Sequence, residues 1–134
     1  MRVEEVLNYI RKIYEAIEPH EIYYAMKRMR LKRILDSTVD FVRWCVAIQE
    51  AGFPITTQLL AVLANISRTG ALHRLHSLGD KKVLLLLHRE GKDPLGSYQW
   101  ILNPIFKQYL PDFSSRVASL YDELVLNKHE EDKT

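Results

Sequence analysis

Residues 55–102 read ITTQLLAVLANISRTGALHRLHSLGDKKVLLLLHREGKDPLGSYQWIL, and the order of signals inside this stretch decides the fold. Thr56-Thr57 caps a short helix that runs through Leu59, Leu60 and Leu63. Asn65-Ile66 makes a tight connection, Ser67 caps a second helix from Arg68 to Leu78, and Gly79 stops it. Two short helices joined by a turn of about three residues are the helix-turn-helix signature. The character then changes. Val83 to Leu87 is a continuous apolar run, and Ser97 to Leu102 carries strand-type residues. Between them HREGKDPLG (88–96) supplies a loop with Asp93-Pro94-Leu95-Gly96 as its turn, so the pair reads as a two-stranded hairpin wing.

Working upstream, Thr38 to Ala51 leaves only Asp40, Arg43, Ala47 and Glu50 as a non-greasy stripe, which predicts a helix at the centre of the core. Gly52 and Pro54 end it. A helical stretch from His20 to about Leu35 precedes it. Asp36-Ser37 marks a break with Ser37 as the next cap, although the pattern leaves open whether 19–51 is one helix or two. Val3, Val6, Leu7, Ile10, Ile13, Tyr14 and Ile17 recur at helical spacing, and Glu18-Pro19 closes that first helix. Downstream, Ile105 to Leu110 is a short helix. Phe113, Val117, Leu120, Tyr121 and Leu124 line a last one capped near Ser114. The expected fold class is mainly α with a small β-hairpin wing. A winged helix-turn-helix core at 37–102 is flanked by helices at 2–35 and 104–127, in one domain with a fraying tail at 128–134.

Composition agrees with that reading. A chain of 134 residues, 47 % apolar and 27 % charged, is one globular domain rather than a disordered or fibrous segment. No apolar run approaches the roughly 20 residues of a spanning helix. The opening MRVEEVLNYIRK offers no signal-peptide apolar region. The expected location is cytoplasmic and nucleoid-associated. The single cysteine, Cys45, allows no internal disulfide and no CxxC zinc site, and its apolar neighbours mark it as a packing residue.

The net charge of +2 conceals a strong distribution. Residues 19–35 hold 5 basic groups against 1 acidic, and no carboxylate occurs between Glu50 and Asp80. A stretch that long without acids suits a polyanion. Leu72, Leu75 and Leu78, with Ala71, form the inward face of the second short helix. Ser67, Arg68, Thr69, Gly70, His73, Arg74 and His76 are left outward or flanking. Arginine can pair with guanine in the major groove, and hydroxyls at a helix N-terminus suit phosphates. Gly70 on this face would admit a close backbone approach, and Arg74 projects towards base edges. Lys81 and Lys82 at the base of the wing, with Arg89 and Lys92 on its loop, are candidate backbone or minor-groove contacts. Flanking phosphate contacts fall to Lys27, Arg28 and Arg30, within the cluster that also holds Lys32 and Arg33.

These features resemble the DNA-binding core of the MarR and PadR groups of transcription regulators. The matching parts are the capped helix at Thr57, the segment SRTGALHRLHSLG, the Lys81-Lys82-Val83 lead into the first wing strand, and the loop and strand after it. The short helix departs from the pattern by reading Gln58-Leu59-Leu60 without the usual acid, as does Gly70 within the recognition helix. The resemblance implies a homodimeric transcription regulator that binds double-stranded DNA sequence-specifically. Helix 67–78 would enter the major groove, wing 88–96 would lie on the backbone or minor groove, and the terminal helices would dimerise. The competing expectation is a winged helix used as a protein-docking module in a replication, partition or transcription assembly. His73 and His76 have metal-compatible spacing but no identifiable third ligand, and no acid–base pair, GxSxG or phosphate-cradling loop is present. No catalytic residue, metal or cofactor is therefore expected, and no effector class is indicated.

Overall fold

The computed structural model describes residues 2–87 and 98–131. In chain order these form α1 (Val3–Ala16), α2 (Pro19–Arg28), α3 (Asp36–Glu50), β1 (Ile55–Thr56), α4 (Thr57–Leu63), α5 (Arg68–Asp80), β2 (Leu84–Leu87), β3 (Gln99–Leu102), α6 (Pro104–Gln108) and α7 (Ser114–Glu131). The chain is mainly helical with a small antiparallel sheet. The run from α3 to β3 places a two-residue strand, two short helices and two strands after the central helix, flanked by helices on both sides. No described helix is long and apolar enough to cross a membrane.

α3 is the central helix, as its narrow polar stripe requires. It packs against α1, α2 and α4 and against both β1 and β3, burying Phe41, Val42, Cys45, Val46 and Ile48. Ala47 is also fully buried, so the polar stripe reduces to Asp40, Arg43 and Glu50. Burial on every side pushes the Cys45 thiol far up, in keeping with a packing role. On α1, Tyr14 lies between two α3 side chains. It stacks on Trp44 at 3.7 Å between ring centroids, the Arg43 guanidinium sits 3.8 Å from the Tyr14 ring centroid, and the Tyr14 hydroxyl bonds Asp40.

Three helices end by the same device. Gly52, Asn65 and Lys82 each adopt a left-handed conformation one residue past the cap of α3, α4 and α5. The following amide reaches back five residues in each case: Phe53 to Ile48, Ile66 to Ala61, and Val83 to Leu78. The Gly52 stop was legible. The equivalent position after α5 is Lys82, not Gly79, which lies inside the helix. A lysine at φ 64° carries a steric cost that glycine avoids. Lys82→Gly should accordingly raise stability by about 0.5–1 kcal/mol, read as a higher urea midpoint at unchanged slope.

Residues 19–51 are two helices, and the first is shorter than its hydrophobic pattern suggests. α2 stops at Arg28, and 29–35 form a connection in which Arg30 and Arg33 take φ of 61° and 56°. Ser37 is not the cap of α3. Leu35 holds that position and makes no side-chain capping bond. Among the described residues the sheet also has three strands rather than two, in the order β1-β3-β2. Ile55 pairs with Trp100 and Thr56 with Gln99, so β1 is made by a partner far along the chain.

α7 returns along α1, beginning at a bidentate contact between Arg116 and Glu21 on α2. The Arg116 guanidinium holds the Glu21 carboxyl below its ordinary range. A depressed carboxyl stabilises the fold above its unfolded value and loses that contribution as the pH falls through its folded value. Arg116→Ala should lower the thermal midpoint at neutral pH by the equivalent of up to about 1 kcal/mol, because Arg116 remains solvent-exposed. The gap to wild type should close on acidification below the ordinary carboxyl range. A gap of constant size would show that Arg116 acts through packing on Phe113, whose ring lies 5.0 Å from the guanidinium carbon.

Candidate nucleic-acid interface

The helix pair α4–α5 is built from local chemistry. The Thr56 hydroxyl accepts from the Leu59 amide at 3.2 Å and opens α4, and Ser67 accepts from the Gly70 amide at 3.0 Å and opens α5. Between them the left-handed Asn65 turns the chain, and Leu60, Leu63, Ala71, Leu75 and Leu78 bury the facing sides of the two helices. α5 is thereby fixed with one face inward and a long polar ridge in solvent.

That ridge is narrower than the sequence suggests. Thr69, His73 and Asp80 follow one another at helical steps on the side away from Ala71, Leu75 and Leu78, and all three are exposed. Arg68 and Ser67 stand exposed at its N-terminal end. Leu72 departs from its expected inward place. It is 36 % exposed, because the inward arc is only wide enough for Ala71, Leu75 and Leu78.

Three predicted contact residues have other engagements. Gly70 is half-buried, and a Cβ there would lie 3.0 Å from the Ser67 hydroxyl. Its smallness leaves room for the helix cap. The His76 ring meets Trp100 edge-on at 5.2 Å, on the flank of α5 that faces the sheet. Arg74 turns to the opposite flank. Its guanidinium donates to the Ser37 carbonyl at 3.2 Å and lies 5.7 Å from the Phe41 ring, so it reaches the start of α3 instead of projecting from the ridge.

Arg74 lines a cleft of about 230 Å³ between the first turn of α3 and the second half of α5. Leu35, Ser37, Thr38, Phe41, Ser77, Leu78 and Lys81 complete its wall, and none of these side chains is acidic. Lys82, the next residue after Lys81, is exposed, with its carbonyl accepting from the Asn103 amide group at 2.7 Å. Arg89 and Lys92, with the whole wing loop 88–96, lie outside the described residues.

The basic cluster divides in two. Lys27 sits 5.5 Å from the Tyr23 ring centroid and Arg28 5.8 Å from that of Tyr109, both as ring contacts. Arg30, Lys32 and Arg33 occupy the connection beyond α2 and are exposed. Lys32 and Arg33 were not among the expected contacts. Their charge was visible, but the end of α2 that separates them from Lys27 and Arg28 was not. Among the described residues no group of three His, Cys, Asp or Glu side chains is placed to hold a metal ion. No protein-family model matches this chain, and neither curated proteins nor solved structures give a match.

Proposed function

We propose that this chain is a non-enzymatic, intracellular DNA-binding protein of the winged helix-turn-helix type, acting as a homodimeric transcription regulator. The observation that carries the reading is the exposed ridge of α5. Ser67, Arg68, Thr69 and His73 stand in solvent on a helix fixed by its partner α4, inside a stretch free of carboxylates from Ala51 to Gly79. A helix so presented fits the major groove, where arginine, serine, threonine and histidine can meet base edges and phosphates. Asp80 closes the ridge at its far end and sets the limit of the contact surface. Val3 on α1 and Tyr121, Val125 and Leu126 on α7 leave apolar surface exposed on the two terminal helices, which supports pairing with a second copy.

Selection of bound sequences from random duplex DNA tests the reading. A palindromic consensus, with light scattering near twice 15.7 kDa, is the expected result. Absence of any enriched sequence would favour the second reading, a protein-docking module. That reading draws on β2, an edge strand with Leu85 and Leu87 exposed and able to receive a strand from a partner.

A further inference from the structure

The connection between α2 and α3 carries three cations in a fixed frame. Arg30 and Arg33 both have left-handed backbones, a conformation that is costly for any residue with a Cβ and that gives the segment a defined turn. Arg30, Lys32 and Arg33 are exposed, and among the described residues none of their side chains has a hydrogen bond, ion pair or ring contact. The connection ends at Leu35, and Leu35 forms one wall of the cleft that Arg74 and Lys81 line from α5. The nearest acids of α3, Asp36 and Asp40, line a separate hollow beside Arg43 and Pro19.

The geometry points to a phosphate track for duplex DNA that runs from Arg30, Lys32 and Arg33 through the cleft to Arg74 and Lys81, along the flank of α5 rather than on its ridge. The inference rests on the DNA-binding reading and says which cations carry its sequence-independent part. Duplex DNA presents a phosphate charge about every 1.7 Å along its axis, so it rewards cations strung along a path more than cations gathered at one point. Lys27 and Arg28 are left outside the track, because they stand on α2 before the turn at Arg30, against the Tyr23 and Tyr109 rings. The cleft gives the track its middle. Arg74 lines a hollow without acids, and its side-chain hydrogen bond to Ser37 leaves most of its five donors for a ligand.

The test compares the triple variant Arg30→Gln, Lys32→Gln, Arg33→Gln with the double variant Lys27→Gln, Arg28→Gln, each in the full chain. Binding to a labelled duplex of random sequence is followed by fluorescence anisotropy across a salt series, with thermal midpoints as a check on folding. The triple variant should lose about tenfold or more in affinity, and its salt slope should fall by about two to three units. The double variant should keep the wild-type slope. A triple variant with the wild-type slope, or equal losses in both variants, would overturn the track.

A third variant, His73→Glu on the ridge of α5, separates this failure from failure of the groove reading. If it abolishes binding while the triple variant binds as wild type does, the track is wrong and the groove reading stands. A wild-type chain without affinity for duplex DNA overturns both. Displacement by polyglutamate as efficient, charge for charge, as displacement by DNA would overturn the track in favour of an acidic protein partner.

Discussion

Trp100→Ala is expected to destabilise the fold by about 3–5 kcal/mol, a large part of the roughly 5–15 kcal/mol that holds a domain of this size together. Trp100 lies on β3, the middle strand, paired with Ile55 on one side and Leu86 on the other. Its ring is 2 % exposed and fills the space under α5, where His76 meets it edge-on. Gly79 is shaped to this ring. A Cβ at Gly79 would come within 2.8 Å of the indole Cζ3, closer than atoms can approach without a shift of the ring or the helix. Gly79→Ala should therefore cost about 1–3 kcal/mol, although alanine is the better helix former. Trp100→Phe removes the outer part of the indole, and in that background Gly79→Ala should cost much less. It also removes a buried indole N–H that has no partner among the described residues, which offsets part of the lost packing. Urea unfolding followed by circular dichroism measures the cycle. An equal cost of Gly79→Ala in both backgrounds would place the clash somewhere other than Trp100.

Gly79 also shows where the sequence could be read and where it could not. A glycine after a run of helical residues reads as a stop, because local rules favour glycine just past a helix end. Here the tertiary contact with Trp100, 21 positions away, decides its role, and the stop falls on Lys82 instead. The same division holds elsewhere. The Ser67 cap, the Gly52 stop and the burial of α3 depend on neighbours within a few residues, and each was legible. Strand β1 was not, since two residues become a strand only by pairing with Gln99 and Trp100. The left-handed turns at Arg30 and Arg33 were hidden for a related reason. Nothing in an arginine-rich run signals a positive φ, so the pattern carried the helix on towards Leu35.

The candidate interface divides in the same way. Both arginines of the acid-free stretch belong to α5, and spacing alone placed both outward. Their surroundings now predict different behaviour. Arg68 is exposed at the first position of α5 and has no partner among the described residues. Arg68→Ala should leave the thermal midpoint unchanged, and it should weaken binding to a selected site by about 1–3 kcal/mol with a much smaller loss on random DNA, because a base contact discriminates. Arg74 is held against Ser37 and Phe41, so Arg74→Ala removes a hydrogen bond and a ring contact. It should cost about 0.5–1.5 kcal/mol of folding stability. On DNA it should weaken specific and random duplexes by similar factors and lower the salt slope by about one unit, the mark of one lost phosphate contact. Binding isotherms on both duplexes across a salt series, with urea unfolding of each variant, separate the two roles. If Arg74→Ala instead erases the preference for the selected site, then Arg74 leaves Ser37 on binding and reaches the bases. If Arg68→Ala leaves both affinities intact, the N-terminal end of α5 is not in the groove, and the partner of this fold is to be sought at the exposed edge of β2.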